Sequence, residues 1–258
     1  MKRKYFFFDI DGTLTEKESR QMVPSAQEAI DRLKAAGHFV SIATGRAYYK
    51  AEPFRAAHHF DHMVCNGGHG IVIDGKLVEN SPLDKDKCLA LYREAISLGY
   101  GVLVATEDST SVHARDFRFY DQCGIRKEPT VYIIDETFDP ANAPAIYKMY
   151  ISVPKEEEAR LTLLATLGHM RFEPEYLLVQ PDEKHEGILR MLELVGGQPE
   201  DVVVFGDDTN DLCMFDPAFT SVAMGNATDP ELFRRATLVA PKNIEDGIFR
   251  ICEAQGWF

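Results

Sequence analysis

The chain has 258 residues, and its 28 Lys and Arg against 41 Asp and Glu give a formal net charge of −13. This length suits one large domain or two modest ones, and 45% hydrophobic with 27% charged residues is the composition of a globular protein, not of a collagen, a disordered chain or a disulfide-stapled miniprotein. The acidic balance argues against nucleic acid as a partner and against a polybasic membrane anchor. A small anionic substrate is compatible with it, because a site needs only local positive charge or a metal ion.

The cysteines and the apolar runs indicate a compartment. Five scattered cysteines, an odd number without a C-x-x-C pair, are typical of a reduced cytoplasmic protein. No apolar run approaches the ~18 residues of a membrane span. The apolar stretch near the start is broken by Asp9 and Asp11, too early for a signal peptide. We therefore expect a cytoplasmic protein without a membrane partner.

The first third of the chain predicts a parallel sheet. Tyr5–Ile10 is a short aromatic and apolar run suited to a buried strand. Ser25–Glu28 has the pattern of a capping box, and the helix that follows should end at Gly37. Phe39–Ala43 is a second buried strand. Strand, helix and strand in this order form the repeating unit of a parallel sheet. Further along, Asp74-Gly75 stands between two short apolar runs and predicts a hairpin with the favoured Asp-Gly turn.

The pattern changes near residue 82 and returns near residue 183. Between these positions helices and strands alternate with longer connections, and Lys155–Leu167 reads as one of the helices. Antiparallel strands with helices on one face fit this segment better than a continued parallel sheet. We predict an α/β fold, in which a doubly wound parallel-sheet core of residues 1–82 and 183–258 is interrupted by an inserted α+β domain of residues 83–182.

Acidic residues follow the first predicted strand. In Asp9-Ile10-Asp11-Gly12-Thr13 the period of two places Asp9 and Asp11 on one side of an extended strand end. Ligands bind at this edge of open α/β sheets, and two close carboxylates require a cation or a shared proton. The competing interpretation is an Asp-Gly turn that one aspartate caps.

A second acidic group follows the predicted strand Val202–Phe205. Asp207 and Asp211 belong to Gly206-Asp207-Asp208-Thr209-Asn210-Asp211, which could instead be the N-cap cluster of a helix. Two acidic strand ends in one sheet predict a site for a hard cation, and Mg²⁺ prefers a few carboxylates together with water and phosphate oxygens.

Two further elements could bind phosphate. Thr44-Gly45-Arg46 follows the second strand and combines a hydroxyl, a glycine amide and a helix N-terminus. An ordinary strand-to-helix turn would have the same composition. Lys184 stands where the core pattern resumes, although a lone lysine is usually a solvated surface residue.

Together these elements resemble the haloacid dehalogenase superfamily, whose members are mostly phosphatases. The D-x-D-G-T, T-G-R, single Lys and G-D-x-x-N-D motifs occur here in the family's order. The insert resembles the large cap of the Cof-type sugar-phosphate phosphatase branch. Asn66-Gly67-Gly68 and Met224-Gly225-Asn226-Ala227 resemble further parts of that branch, so the resemblance spans the whole chain. Many relatives place a glycine directly after the lysine, whereas Gly187 follows Lys184 by three positions.

The resemblance implies a role for each site residue. Asp9 would be the nucleophile that forms an aspartyl-phosphate, and Asp11 would be the general acid and base. Mg²⁺ would be held by Asp9, the main-chain carbonyl of Asp11, and Asp207, with Asp211 supporting it from behind. The phosphoryl oxygens would be held by Thr44, Gly45, Lys184 and Asn210.

The expected function is therefore a Mg²⁺-dependent phosphatase for small phosphorylated metabolites, sugar phosphates above all. The inserted domain would close over the site and set specificity, with Arg115, Arg118 and Tyr120 as candidates. A phosphomutase or phosphotransferase with the same intermediate, and a non-catalytic module that binds a phosphometabolite, remain the alternatives. The sequence does not indicate an oligomeric state.

Overall fold

The computed structural model describes residues 2–258. The chain forms two compact units, which we name the core unit (up to Asn80, and Glu183–Phe258) and the inserted unit (Ser81–Asp182). The strands are β1 (Tyr5–Phe8), β2 (Phe39–Ala43), β3 (His62–Cys65), β4 (Gly70–Ile73), β5 (Lys76–Asn80), β6 (Val102–Ala105), β7 (Ser111–Ala114), β8 (Val131–Ile134), β9 (Lys148–Ile151), β10 (His169–Glu173), β11 (Tyr176–Val179), β12 (Val202–Gly206), β13 (Thr220–Ala223) and β14 (Leu238–Val239). The α-helices are α1 (Pro24–Ala35), α2 (Tyr48–Ala57), α3 (Lys85–Ser97), α4 (Arg118–Cys123), α5 (Lys184–Val195), α6 (Pro230–Arg235) and α7 (Gly247–Ala254).

The core unit is built on a sheet in the order β14-β13-β12-β1-β2-β3-β4-β5. The strands from β14 to β3 run parallel, and β4 and β5 are antiparallel additions at the edge. In β1, Phe6 and Phe8 pack with α1 and α7 on one face, and Phe7 packs with α5 on the other. Because both faces carry helices, β1 is apolar at every position, and the predicted doubly wound α/β fold is confirmed.

Two details of the core unit test local sequence rules. The β4–β5 hairpin turns at Asp74 and Gly75, whose φ angles of +48° and +72° are those the predicted Asp-Gly turn requires. The predicted capping box at Ser25 is wrong. Helix α1 already begins at Pro24, and its N-cap, Val23, offers no side-chain oxygen. Proline fits the first helical position, so the helix starts one residue before the serine that should have capped it.

The inserted unit has a six-stranded sheet in the order β10-β11-β9-β6-β7-β8. Its pairs are antiparallel except β7 and β8, which are parallel and are joined through α4. Helix α3 packs against Val102 and Val104, whereas Phe119 of α4 packs with Leu103 on the opposite face. The expectation of antiparallel strands with helices on one face is thus wrong for β7, α4 and β8, because a parallel pair needs a crossover.

The predicted helix over Lys155–Leu167 is also wrong. The segment forms two 3₁₀ turns, Lys155–Arg160 and Leu164–Thr166. Leu161 leaves the helical conformation between them and is buried in the core of the inserted unit. Tertiary packing has here overridden a helical composition. Within residues 2–258 no helix combines the length and the apolar character that a membrane crossing requires.

Candidate active site

The predicted site residues lie at the carboxyl edge of the core sheet. β1 pairs in parallel with β2 on one side and with β12 on the other. Asp9 directly follows β1, Thr44 directly follows β2, and Asp207 directly follows β12. Because parallel strands end at the same edge, the fold itself brings three distant stretches of sequence together.

Four charged side chains form a buried group at this edge. We name Asp9, Asp207 and Asp211 the acidic cluster, and one oxygen from each lies within 4.8 Å of the others. The ammonium of Lys184, the first residue of α5, donates to Asp9 Oδ1 at 2.8 Å and to Asp211 Oδ1 at 2.6 Å. The Lys184 side chain is only 1% exposed, so it is not the solvated surface residue that a lone lysine usually is.

Donors other than Lys184 hold two of the three carboxylates, those of Asp211 and Asp207. Asp211 Oδ2 accepts from the backbone amides of Asp207 and Asp208 at 2.9 and 3.2 Å, as in a capping box. The Thr13 hydroxyl donates to Asp207 Oδ1 at 3.0 Å. Asp211 Oδ1 accepts from Lys184 and Oδ2 accepts from the two amides, so both oxygens already have partners. This suits a residue that supports a metal site from behind.

Burial and mutual repulsion shape the protonation of this group. Burial, followed by the nearby Asp211, raises the pKa of Asp9 to about 8, although Lys184 acts in the opposite direction. Burial, followed by Asp211, raises the pKa of Asp207 to about 7. Burial would lower the pKa of Lys184, but Asp211 and Asp9 outweigh it and raise that pKa. The ammonium stays charged, but it is one positive charge among three carboxyl groups, so ionising all three leaves an excess of negative charge.

The acidic cluster fits a divalent cation. Asp207 Oδ2 is buried and accepts no hydrogen bond within residues 2–258. The ammonium of the half-exposed Lys17 lies 3.9 Å away, which is beyond hydrogen-bond distance. Hard oxygen donors and uncompensated negative charge are what Mg²⁺ selects. The donor set is therefore compatible with the predicted metal ion.

Asp11 lies in different surroundings from Asp9. Its carboxylate is half-exposed and receives both arms of the Arg46 guanidinium, with Nε donating at 2.8 Å and Nη2 at 2.5 Å. This fork is the strong, planar form of a carboxylate contact. The ion pair between Arg46 and Asp11 was not predicted from the sequence. The signal that could have indicated it is the arginine of the T-G-R motif, a cation that directly follows the hydroxyl and the glycine assigned to phosphate binding.

The loop between Asp9 and Thr15 is clamped by the C-terminal part of the chain. Asn226 Nδ2 donates to the Gly12 carbonyl at 2.8 Å, and Asn226 Oδ1 accepts from the Asn243 amide at 3.0 Å. Asn243 Nδ2 donates to the Thr15 carbonyl at 2.8 Å. Gly12 has a φ of +88°, and a Cβ there would lie 2.2 Å from Asp207 Oδ2. The family resemblance included the segment Met224–Ala227 but assigned no role to Asn226. The role of Asn243 was not predicted from the sequence.

A glycine contact explains the position of Lys184. A Cβ on Gly187 would lie 2.7 Å from the Cα of Gly68, so α5 can approach the Asn66–Gly68 turn only without side chains. The Glu183 amide also donates to the Gly67 carbonyl at 2.7 Å. The glycine three residues after the lysine thus lets the helix dock so that its first residue reaches the acidic cluster.

The remaining predicted residues lie near these groups. Thr44 is buried, and its hydroxyl accepts from the Arg46 amide at 3.1 Å, with Gly45 between them. Asn210 is half-buried in the 3₁₀ turn Thr209–Met214, directly before Asp211. The fold and the site together define an α/β protein with a buried lysine and an acidic cluster at the carboxyl ends of its strands.

Comparison with known proteins supplies the family. The model of the haloacid dehalogenase-like hydrolase family matches residues 6–251. A putative bifunctional phosphatase/peptidyl-prolyl cis-trans isomerase of Streptococcus pyogenes is 30% identical over 99% of this chain, which spans only 54% of that relative's length. A pyridoxal phosphate phosphatase of Escherichia coli is 25% identical, over 96% of this chain and 97% of its own. A solved sugar phosphatase of HAD subclass IIB superposes with a TM-score of 0.77 at 25% identity, covering 99% of this chain and 100% of its own.

The chain belongs to the haloacid dehalogenase-like hydrolase family. The Cof-type resemblance predicted from the sequence is confirmed, and the enzyme class is that of a phosphoric monoester hydrolase.

Proposed function

We propose that this chain is a Mg²⁺-dependent phosphatase that hydrolyses small phosphomonoesters through an aspartyl-phosphate on Asp9. The observation that carries the proposal is the buried Lys184, which bridges Asp9 and Asp211 beside an Asp207 oxygen without a hydrogen bond. A nucleophilic carboxylate must be ionised, and the contact with Lys184 favours the charged form of Asp9 against its burial.

Asp9 and Asp11 divide the chemistry between them. An oxygen of Asp9 attacks phosphorus, the ester bond to the alcohol breaks, and Asp11 gives the departing oxygen a proton. Asp11 then takes a proton from water, whose oxygen attacks the aspartyl-phosphate and releases phosphate and the free Asp9 carboxylate. Asp11 suits this exchange, because its side chain is half-exposed, so one carboxyl oxygen can carry a proton while Arg46 holds the other.

The other residues bind and orient. Mg²⁺ would be held by Asp9, the Asp11 main-chain carbonyl and Asp207, with Asp211 behind them. When bound, it supplies the positive charge that lets a phosphate dianion approach several carboxylates. Thr44, Gly45, Lys184 and Asn210 would hold the phosphoryl oxygens, which is catalysis by positioning and electrostatics.

We propose that the inserted unit determines which phosphomonoester is the substrate. Sugar phosphates are the class that the resemblance predicts, and the solved subclass IIB neighbour is named for them. The Escherichia coli relative is named for pyridoxal phosphate, so a panel of substrates must reach beyond sugars. We also propose a cytoplasmic location, which suits five cysteines that form no disulfide bond.

The test is phosphate release from a panel of phosphomonoesters with Mg²⁺ or with EDTA. We expect metal-dependent turnover, and we expect Asp9→Asn to lower kcat by at least about 10³-fold while the protein stays folded. Asp208→Asn is the matched control, because Asp208 stands beside Asp207 but outside the acidic cluster.

Two outcomes would replace the proposal. Phosphoryl transfer to a sugar that outpaces release to water would make the enzyme a phosphomutase or phosphotransferase. Ligand-induced stabilisation without turnover on any substrate would make it a binding module. Full activity of the Asp9→Asn variant would remove the aspartyl-phosphate from the mechanism.

A further inference from the structure

Two asparagines connect the last strands of the core sheet to the loop that follows Asp9. Asn226 lies in the turn after β13, and Asn243 opens a 3₁₀ turn after β14. Both strands run parallel to β1, so their ends reach the carboxyl edge where Asp9 lies. Neither asparagine belongs to the acidic cluster, and the proposed chemistry gives no role to either.

The hydrogen bonds of the two asparagines form a ring that begins and ends at Gly12. Asn226 Nδ2 donates to the Gly12 carbonyl at 2.8 Å, and Asn226 Oδ1 accepts from the Asn243 amide at 3.0 Å. Asn243 Nδ2 donates to the Thr15 carbonyl at 2.8 Å. That same carbonyl accepts from the Gly12 amide at 3.1 Å, which closes the ring. We name these four residues and their hydrogen bonds the asparagine ring.

Both sides of the asparagine ring are held from behind. Thr15 is buried, and its amide and its hydroxyl both donate to the Ile10 carbonyl, at 2.9 and 3.0 Å. On the other side, the Gly225 amide donates to the Pro241 carbonyl at 3.2 Å, and a Cβ on Gly225 would lie 2.8 Å from the Ala240 carbonyl oxygen. The segments that carry the two asparagines therefore touch backbone to backbone, which leaves their side-chain amides little freedom.

The backbone dictates which atom of each side-chain amide is the donor. Asn226 Oδ1 faces the N–H of Asn243, and Asn243 Oδ1 accepts from the Ile244 amide at 2.9 Å. The two nitrogens must then face the two carbonyls. Gly12 and Thr15 are both buried, so the loss of either donor leaves a carbonyl oxygen short of a partner where water has little access.

The asparagine ring sets the direction of the Asp11 main-chain carbonyl. This carbonyl and the Gly12 amide belong to one trans peptide group. In such a group the C=O and N–H bonds point in opposite directions. The hydrogen bond from the Gly12 amide to the Thr15 carbonyl therefore decides where the Asp11 oxygen points, and Asn243 holds that carbonyl in place.

We propose that Asn226 and Asn243 are positioning residues that aim the Asp11 main-chain carbonyl at the metal ion. The proposal rests on the proposed phosphatase function, because the ion is the one assigned there to Asp9, Asp11 and Asp207. A ligand atom that is already oriented binds more tightly, since less conformational freedom is lost on binding. The asparagine ring supplies this order before the ion arrives.

The experiment measures Mg²⁺ affinity and turnover in four variants of the full chain. Asn226→Ala, Asn243→Ala and the double variant open the ring. Gln122→Ala is the matched control, because Gln122 in the inserted unit is also an amide that joins two backbone groups. Its Oε1 accepts from the Gly101 amide at 2.8 Å, and its Nε2 donates to the Gly99 carbonyl at 3.0 Å. Calorimetric titration with Mg²⁺ alone measures the dissociation constant, and urea denaturation in EDTA measures the stability.

We expect each single asparagine variant to weaken Mg²⁺ binding by about 10–100-fold, as when a group that orients a metal ligand is removed. The double variant should lose little more than one single variant, because one break already opens the ring. Turnover at low Mg²⁺ should fall by a similar factor and recover as the Mg²⁺ concentration is raised. Gln122→Ala should lower the free energy of unfolding and leave the dissociation constant unchanged.

Three results would overturn the role of the asparagine ring. The first is an unchanged dissociation constant in both single variants, and the second is an equal loss of affinity in Gln122→Ala. The third is a loss of turnover that saturating Mg²⁺ does not restore, since the asparagines would then act elsewhere than on a metal ligand.

Folding and function are separated from this test. Asn226 is half-buried, so Asn226→Ala should fold even where the buried Asn243 does not tolerate alanine, and its affinity then decides alone. An unmodified chain that binds Mg²⁺ but hydrolyses no phosphomonoester would overturn the proposed function only, because the affinities still test the ring. An unmodified chain that binds no Mg²⁺ would overturn both.

Discussion

Asp9 and Asp11 leave the same strand end two residues apart, yet they enter opposite environments. Asp9 joins the acidic cluster, where it is 6% exposed and touches Lys184. The Asp11 side chain is 50% exposed and is held by Arg46. A buried carboxylate has its charge state set by its neighbours, whereas an exposed one can exchange partners. Burial, and not residue type, separates the two aspartates, and this difference suits the nucleophile and the proton carrier that we propose.

Removing the buried cation should have the largest effect. In Lys184→Met, Asp9 and Asp211 lose their shared ammonium and remain buried. We expect the metal-free protein to lose about 3–5 kcal/mol of unfolding free energy, as when one partner of a buried pair is removed. Urea denaturation in EDTA measures it. Lys17→Met is the control, because Lys17 is exposed and approaches Asp207 no closer than 3.9 Å, so its effect should be below about 1 kcal/mol. Equal losses of unfolding free energy in Lys184→Met and Lys17→Met would contradict the stabilising role of the buried ammonium.

Removing the exposed fork should alter catalysis more than stability. We expect Arg46→Ala to leave the free energy of unfolding within about 1 kcal/mol, since the pair is partly exposed. It should lower kcat/KM for alkyl phosphates by about 10–100-fold, because Asp11 is no longer oriented to protonate the alcohol. The loss should be smaller for 4-nitrophenyl phosphate, whose leaving group needs no proton.

Steady-state kinetics on both substrates measure this difference, and Arg46→Lys should recover part of the loss on alkyl phosphates. Arg250→Ala serves as the control, because Arg250 on α7 forms a surface pair with Asp246, which directly precedes that helix. If Arg46→Ala slowed both substrates equally, the arginine would support the site in general and would not orient Asp11.

The smallest expected effect is on the pH dependence of metal stabilisation. Raised pKa values at Asp9 and Asp207 mean that the folded protein binds protons that the unfolded chain releases above about pH 4. Without metal, these two groups therefore reduce stability as the pH rises towards 7 and 8. Mg²⁺ competes with the same protons, so its stabilising effect should grow over this range.

We expect the difference in Tm between Mg²⁺ and EDTA to be about 2–4 °C larger at pH 8 than at pH 6. Differential scanning fluorimetry measures it. Asp207→Asn should abolish most of this pH dependence of the Tm difference. Asp11→Asn should leave more of it, because at Asp11 the metal would contact only the main-chain carbonyl. A shift that shrinks towards pH 8 would show that the acidic cluster does not bind the ion.

Strand ends and turns were well predicted from the sequence, because their signals are local. The apolar run before Asp9, the run before Asp207 and the Asp-Gly turn at residue 74 depend on neighbouring residues only. Two helix predictions were wrong for reasons that local patterns do not show. Pro24 starts α1 before the predicted cap at Ser25, and the burial of Leu161 interrupts the predicted helix after Lys155. The parallel pair of β7 and β8 was missed, since short strands linked by a six-residue helix carry a weak periodic signal.

The sequence by itself determined the family, the doubly wound sheet and the identity of the charged residues, because these depend on residue types in a fixed order. Only the tertiary structure decided their states. It buried Lys184 between two carboxylates through a glycine contact, and it turned Asp11 outward to Arg46. It also placed Arg115 and Tyr120, two of the candidates for specificity, in the walls of different cavities of the inserted unit. Charge state and ligand preference depend on burial and on neighbours distant in the chain. Local sequence patterns show neither the burial nor those neighbours.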